Sequence, residues 1–233
     1  SSLTTAYSNS TYTLTGGVPA GTSDFTVAIL LSSTDLNTIK TLSNLIVNGS
    51  TYIQMTADTI QDMYSHPVSP VSGRQSTVVR YDITPPSVID FSVNLNTSTL
   101  IILFSEVVDT TTFNISAITL QDVAANSNES LASYTLTRGY ISPTPTAVSV
   151  SIQLSENDLN NIKRLGNLAS SINNTYLTAL PGFVNDTSRN PALGVFGLNA
   201  SVFRTDMIPP QVLFFTLDMN TGKPAWEARH VWS

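Results

Sequence analysis

The sequence has no cysteine, few charged side chains and only two histidines, and each scarcity narrows the class of protein. Without cysteine, disulfides say nothing about the redox compartment. Charged residues make up 11% of the chain and the net charge is −6, which argues against the basic face that nucleic acids require. No apolar run approaches the roughly 20 residues of a membrane-spanning helix. No signal peptide precedes Ser1, so we expect a secreted precursor to have been trimmed before that residue.

Aromatic residues account for 8% of the chain, and β-branched and small polar residues are abundant instead. This composition is too apolar for a disordered chain. It is also too rich in threonine, valine, isoleucine and serine for a helical bundle, so it favours a β-structure.

A long internal repeat organises the chain. Two diproline segments, Pro85-Pro86 and Pro209-Pro210, each precede alternating apolar residues that are typical of a strand. The offset between matching segments grows from 122 to 124 residues, so the period is that of a whole domain. The matches join Tyr12-Thr-Leu-Thr to Tyr134-Thr-Leu-Thr, Asp35-Leu-Asn-Thr-Ile-Lys to Asp158-Leu-Asn-Asn-Ile-Lys, Thr51-Tyr to Thr175-Tyr, and Asp62 with Pro67 to Asp186 with Pro191.

The repeat predicts four segments. Residues 1–83 would be a copy without its first strands, 84–207 a complete copy, 208–222 the first strand of a further copy, and 223–233 an unmatched tail. Ser1 aligns near Val123, so the first copy lacks counterparts of residues 85–122, which are three strands. Two explanations stay open. Either the chain is a segment of a longer repeat protein, or the end strand of one subunit completes the first copy of the next subunit.

The complete copy shows seven short segments with period-two alternation, which is typical of a β-sandwich. In the second segment Leu100, Ile102 and Phe104 share one face, which should be the core face. One short helix interrupts the strands of each copy, begins at a serine and carries an apolar stripe. The fold class predicted is therefore all-β.

Several motifs resemble a known family. Pro-Pro-x-Val, Phe104-Ser-Glu106-x-Val, Thr175-Tyr and Val184-Asn-Asp186-x-x-Arg-Asn190-Pro are similar to bacterial Ig-like domains of S-layer and adhesin proteins. The form with an inserted helix resembles repeats of large algal and protist surface proteins, of which mastigoneme shaft proteins are one example. The resemblance implies tandem Ig-like β-sandwich domains and a location outside the cell, at its surface. His66 departs from the pattern, because Asn190 stands at the matching position.

Candidate catalytic groups are sparse. The two histidines, His66 and His230, lie in a turn and in the tail, and no nucleophile motif or phosphate loop accompanies them. The expectation is that the chain is not an enzyme.

Asparagine sequons are the strongest site signal. A Ser/Thr-rich chain contains some Asn-x-Ser/Thr sequences by chance, as ordinary loop asparagines. Asn48 and Asn173, however, lie in the same loop of both copies, which makes chance less plausible there. The eight candidates for N-linked glycans are Asn9, Asn48, Asn96, Asn114, Asn128, Asn173, Asn185 and Asn199.

Three carboxylates should meet at the junction between the copies. In a sandwich Glu106 and Asp186 would reach the end that holds the linker residue Asp82, and three carboxylates could bind Ca²⁺. The alternative is that Glu106 is solvated and Asp186 caps its own turn. Apart from this calcium, no cofactor is expected.

The function predicted is that of an extracellular structural repeat protein, a glycosylated building block of a surface filament, hair or wall layer that associates with further copies. The alternative is an adhesin or binding module that recognises a glycan or protein on another surface. Both tryptophans, Trp226 and Trp232, lie in the tail, which favours a scaffold over a sugar-binding platform. A hydrolase accessory domain is a third and weaker class.

Overall fold

The computed structural model of the chain describes most of its residues. These are residues 2–5, 10–23, 26–42, 44–47, 49–124, 132–141, 144, 146–209 and 211–229.

The described part of residues 2–83 contains one four-stranded sheet, one separate hairpin and one α-helix. The elements are β1 (Ser2–Thr5), β2 (Thr11–Thr13), β3 (Val18–Ser23), β4 (Thr26–Leu30), α1 (Ser33–Thr41), β5 (Thr51–Met55) and β6 (Val71–Gln75). The sheet is antiparallel with the order β2-β1-β5-β6. The hairpin consists of β3 and β4.

Within residues 84–207, the part that the structure describes contains two sheets and a second α-helix. The elements are β7 (Val88–Asn94), β8 (Thr99–Asp109), β9 (Ile118–Gln121), β10 (Ser133–Thr135), β11 (Gly139–Ile141), β12 (Thr146–Leu154), α2 (Glu156–Arg164), β13 (Tyr176–Ala179), β14 (Asn185–Asp186), β15 (Val195–Asn199) and β16 (Val202–Arg204). One sheet has the antiparallel order β10-β9-β13-β15. The other has the order β11-β12-β8-β7-β16, with β14 paired to β8.

Short 3-10 turns join several of these elements. They span Ala57–Thr59, Thr110–Thr112, Ile115–Ala117 and Ile172–Asn174. A last hairpin follows, of β17 (Gln211–Asp218) and β18 (Lys223–Arg229). None of the described helices is long and apolar enough to cross a membrane.

A hydrophobic core lies between the two sheets of residues 84–207. Leu100, Ile102 and Phe104 are all buried there, which confirms the predicted core face of β8. Phe104 stacks on Phe183 with ring centroids 5.9 Å apart. Leu159 and Ile162 of α2 join the same core, so packing of this stripe holds the short helix in place.

The two repeats share their pairing register. Tyr52 of β5 pairs with Gln75 of β6, and Tyr176 of β13, 124 residues later, pairs with Asn199 of β15. The sheet β2-β1-β5-β6 therefore repeats the sheet β10-β9-β13-β15 strand for strand. In the first of these sheets β1 takes the place of β9. Of the three strands that the sequence predicts to be absent from the first copy, the counterparts of β7, β8 and β9, the third therefore has a substitute.

A glycine stands at the start of the β3–β4 hairpin and at the start of the matching β11–β12 hairpin, for the same reason. A Cβ on Gly139 would lie 3.0 Å from the carbonyl oxygen of Gln153, and one on Gly17 would lie 3.0 Å from that of Leu30. Only a residue without a side chain permits so close an approach of the two strands.

The predicted fold class, all-β tandem Ig-like sandwiches, is wrong. The larger sheet is mixed, because β16 runs parallel to β7, and α1 and α2 belong to the fold. A second sheet closes over a core in residues 84–207, whereas the described part of residues 2–83 has one four-stranded sheet and one hairpin, without strands corresponding to β7 and β8. The sequence repeat reports matching elements, but matching elements form a sandwich only where both core-forming sheets are present.

Candidate junction site

The junction between the repeats is built around one lysine. Lys40 lies in the last turn of α1, where a cation is favoured by the helix dipole. Its Nζ lies 2.8 Å from Oδ2 of Asp82, in the linker before β7, and it also forms an ion pair with the carboxylate of Glu106 on β8. The three side chains are largely shielded from water, so the two repeats share a partly buried ion-pair cluster.

Two further hydrogen bonds strengthen the same junction. The backbone N–H of Val107 donates to Oδ1 of Asn37, on α1, at 3.3 Å. The side-chain amide of Asn190 donates to the backbone carbonyl of Asp82 at 3.2 Å. Contacts from α1, the linker, β8 and the turn after β14 therefore converge at one point.

The structure brings the three predicted calcium ligands together. One carboxylate oxygen from each of Asp82, Glu106 and Asp186 lies within 4.8 Å of the others. Asp186 already accepts hydrogen bonds from the backbone of Ser188 and from the backbone and side chain of Asn190, at 2.7–2.9 Å. Since Lys40 contacts the other two carboxylates, a Ca²⁺ ion here would have to displace its ammonium group, and the calcium site stays a prediction.

The charged groups of this cluster shift one another's pKa values. Burial raises the pKa of Glu106, and the neighbouring charges of Asp82 and Asp186 raise it further, against the lowering effect of Lys40. Burial opposes ionisation of Lys40, but hydrogen bonds to Asp82 and Glu106 outweigh it and raise the lysine pKa. Burial likewise opposes ionisation of Asp82, but the hydrogen bond from Lys40 leads the effects that lower its pKa.

A groove of about 680 Å³ adjoins the cluster. Its walls come from α1, from the linker residues Arg80 and Tyr81, and from the turn residues Thr187 and Ser188. The groove therefore runs along the boundary between the two repeats.

The same ion pair recurs at the end of the second repeat. Nζ of Lys163, in the last turn of α2, lies 2.8 Å from Oδ2 of Asp206. Lys163 and Asp206 occupy the positions of Lys40 and Asp82 one repeat later. The helix-to-linker contact is thus a repeated feature of the molecule.

Sequence reasoning missed a second repeated site, at the start of each helix. The buried carboxylate of Asp158 accepts hydrogen bonds from the hydroxyl of Tyr134 at 2.8 Å, from both N–H and hydroxyl of Thr137, and from the N–H of Arg138. Although burial opposes ionisation, these hydrogen bonds lower the pKa of Asp158.

Asp35 has the same partners one repeat earlier. Its carboxylate accepts hydrogen bonds from the hydroxyl of Tyr12 at 2.7 Å, from Thr15 and from the N–H of Gly16, and the hydrogen bond from Tyr12 leads the effects that lower its pKa. The signal was the joint repetition of Tyr-Thr-Leu-Thr and of Asp, which sequence analysis assigned to separate elements.

The exchange of asparagine for histidine conserves a turn. Nδ1 of His66 lies 2.9 Å from Oδ2 of Asp62, just as the side-chain amide of Asn190 lies 2.8 Å from Oδ2 of Asp186. His66 is therefore explained by its turn. His230 lies outside the described residues.

The described sequons differ in exposure. Asn114, Asn173 and Asn199 are exposed, whereas Asn96 and Asn185 are half-buried. Oδ1 of Asn96 also accepts a hydrogen bond from the N–H of Met207 at 3.1 Å. The remaining three, Asn9, Asn48 and Asn128, lie outside the described residues.

Comparison with known proteins assigns the chain to no family. No family model and no curated protein matches the chain. A crystal structure of a thermostable esterase matches with 12% sequence identity and a TM-score of 0.31, over 61% of this chain and 41% of that chain. This chain thus spans less than half of the esterase chain.

The esterase match contradicts the expectation that the chain is not an enzyme, and that expectation is withdrawn. A TM-score of 0.31 is too low for the likeness to carry an activity or a residue role from the esterase to this chain.

Proposed function

We propose that the chain is a structural repeat protein of the cell surface, a glycosylated building block of a filament, hair or wall layer. The observation that carries the proposal is the junction between the repeats, where Lys40 joins Asp82 and Glu106. Consecutive units of a protein that transmits shape or tension need a fixed angle between them, and a partly buried ion-pair cluster supplies one. A linker without such contacts would let the units move independently.

Repetition of the contact supports the same proposal. Lys163 and Asp206 place a second helix-to-linker ion pair before the last hairpin. A chain of units that are joined in the same way propagates in one direction with a constant geometry. Reach and stiffness are properties of such an arrangement as a whole.

Exposed sequons support a surface location. Asn114, Asn173 and Asn199 stand on the outside of residues 84–207 and could carry N-linked glycans without disturbing the core. Glycans there would also shield strand edges from unwanted pairing.

Immunolabelling of intact source cells tests the proposal. An antibody raised against residues 84–207 should label an external filament, hair or wall without permeabilisation. Labelling that requires permeabilisation would overturn the proposal.

A further inference from the structure

The junction cluster brings a nucleophile, an electrophile and a proton carrier together. The primary amine of Lys40 lies 2.8 Å from Oδ2 of Asp82 and also contacts the carboxylate of Glu106. Cγ of Asp82 is bonded to Oδ2, so it lies at most one C–O bond, about 1.2 Å, further from the amine. Reacting atoms in enzyme sites start from separations of about 3–3.5 Å, so the amine and the carboxyl carbon are close to a reactive geometry.

The fold holds each member of the cluster in place. Lys40 extends from the last turn of α1, and Glu106 lies on β8. Oδ1 of Asp82 accepts a hydrogen bond from the backbone N–H of Thr84 at 3.1 Å, and its backbone carbonyl accepts one from the side-chain amide of Asn190 at 3.2 Å. Groups that are held in a productive arrangement react as if at effective concentrations of up to about 10⁵–10⁸ M.

The cluster is also shielded from water. The side chains of Lys40, Asp82 and Glu106 are 14%, 16% and 9% exposed. Water is a product of amide formation and the reactant that reverses it, so partial exclusion of water favours the amide. The cost of desolvating two charges can exceed their attraction, whereas an amide carries no net charge. Burial therefore favours a covalent bond over the ion pair.

We propose that Lys40 and Asp82 join in an intramolecular amide bond between Nζ and Cγ. The bond forms in the folded chain, and Glu106 is its catalytic residue because it contacts the reacting nitrogen. It closes residues 40–82 into a covalent loop and ties α1 permanently to the linker before β7. The ion pair at the junction is the reactant of this step.

The reaction needs only side chains and one backbone N–H of the junction. Glu106 takes a proton from the ammonium of Lys40, and the freed Nζ attacks Cγ of Asp82. The N–H of Thr84 stabilises the negative charge that develops on Oδ1. The Cγ–Oδ2 bond then breaks, and Oδ2 leaves as water with the two protons that Nζ has lost. One ammonium and one carboxylate thus become one amide and one water, and nothing is oxidised or reduced.

Glu106 is placed to carry both protons. It contacts Nζ directly, and one of its oxygens lies within 4.8 Å of a carboxylate oxygen of Asp82, a span that one water molecule can bridge. Lys163 and Asp206 form the same ion pair one repeat later, but His230 stands at the position that matches Glu106. The bond is therefore expected between Lys40 and Asp82.

Intact mass spectrometry of the unglycosylated 233-residue protein tests the proposal. The wild type should be lighter than its sequence requires by the mass of one water. Lys40→Arg keeps a positive charge, but its guanidinium stays protonated and does not attack, so this variant should have its full mass. Lys163→Arg, the matched control one repeat later, should keep the wild-type loss. A wild type of full mass would overturn the proposal, as would a loss of water that persists in Lys40→Arg.

Tryptic peptides locate the bond. Trypsin does not cleave after an acylated lysine, so residues 1–74 should stay in one peptide that is joined to residues 81–138. In Lys40→Arg the chain should be cut after residue 40, and the peptides should separate. Separate wild-type peptides 1–40 and 41–74 would overturn the proposal, whatever the stability of the variants.

Two further variants test the chemistry. Asp82→Asn replaces the leaving water by ammonia, so this variant should lose the mass of one ammonia while the same peptides stay joined. A loss of water from Asp82→Asn would place the modification elsewhere and overturn the proposal.

Glu106→Gln retains the size of the side chain but cannot take up the proton. Its amide should form about 10²-fold more slowly than that of the wild type after refolding, measured as the joined fraction over time. A Glu106→Gln protein that is folded by circular dichroism and reacts at the wild-type rate would overturn the role of Glu106.

The bond deepens the proposed function and rests on the same junction contact, because a covalent junction withstands tension that separates an ion pair. The two tests remain distinct. A wild type of full mass would remove the bond but leave the ion pair and the surface role intact. External labelling of cells tests that role independently of the bond.

Discussion

Two buried aspartates hold the same position in the two repeats, and each ties the start of a helix to a neighbouring strand. Asp158 accepts hydrogen bonds from three residues of the segment 134–138, and Asp35 accepts the equivalent ones from residues 12–16. A buried carboxylate is stable only when hydrogen-bond donors surround it. At the residue scale, the repeat is therefore conserved in a polar contact as well as in its apolar pattern.

Replacement of Asp158 by asparagine should destabilise residues 84–207 by about 2–3 kcal/mol, because an amide presents a donor to N–H and hydroxyl groups that need an acceptor. Tyr134→Phe, which removes one of the donors, should cost about 1 kcal/mol. Denaturant unfolding of both variants measures the two losses of stability and shows which is larger. Equal costs would contradict a role for the charge.

The same aspartate should make the stability of the fold depend on pH in the acid range. The pKa of Asp158 is lowered by folding from an ordinary value of 3.8, so the unfolded state takes up the proton more readily. Its contribution is present above about pH 4 and is lost as the pH falls through the folded-state pKa. The stability difference between wild type and Asp158→Asn should therefore shrink below pH 4.

A substitution on the core face of β8 should reduce the stability of the domain more than the substitutions of Asp158 and Tyr134. Phe104 is 1% exposed and stacks on Phe183, so Phe104→Ala should destabilise the domain by about 3–5 kcal/mol. Leu103→Ala, on the opposite and partly exposed face, is the control and should cost much less. A near-neutral Phe104→Ala in chemical denaturation would contradict the register of β8.

At the scale of elements, α1 connects the two repeats and buries only part of its apolar face. Its apolar residue Leu36 is 42% exposed, while the counterpart Leu159 on α2 is fully buried. Lys40 instead anchors the helix to the linker and to β8. Both helices contact the following linker through a lysine, but only α2 buries its leucine in the core between two sheets.

Lys40→Met should loosen this connection. It leaves Asp82 and Glu106 close together without a cation, which at this partly buried site should cost about 1–3 kcal/mol. Calorimetry should show a lower Tm or two separate transitions, and X-ray scattering should show a broader range of shapes. Arg164→Met, at an exposed helical residue, is the matched control, and equal behaviour of the two variants would exclude the junction as a stabilising contact.

Calcium should compete with Lys40. If the three carboxylates can bind Ca²⁺, the ion must displace the ammonium group in wild type but not in Lys40→Met. Millimolar calcium should therefore raise the Tm of Lys40→Met more than that of wild type. Identical melting of both proteins in calcium and in chelator would refute the predicted calcium site.

At the scale of the whole molecule, one fully closed domain lies between a partial repeat and an exposed hairpin. Both flanking parts present apolar side chains that are buried at the matching positions of residues 84–207. Contiguous exposed apolar surfaces of this kind mark sites of association.

Glycan occupancy should follow exposure across the molecule. Asn114, Asn173 and Asn199 should be occupied in the native protein, whereas the half-buried Asn96 and Asn185 should be occupied less. Glycopeptide mass spectrometry before and after enzymatic deglycosylation measures each site. Occupancy confined to the two half-buried sites, or none at all, would contradict the expected glycosylation.

The sequence alone determined the repeat, the core face of β8, the position of α2 and the convergence of Asp82, Glu106 and Asp186. These follow from local periodicity, from capping and from the connectivity of successive strands, all of which leave direct traces in residue order.

The tertiary structure alone decided the rest. Lys40 lies among carboxylates that come from distant parts of the chain, and Asp158 is buried because residues 134–138 fold over it. Residues 223–229 match β8 in pairing register although their side chains differ, so comparison of residue types classed them as an unmatched tail. Whether matching strands close into a sandwich also depends on the presence of both sheets, because a core exists only between two apolar faces.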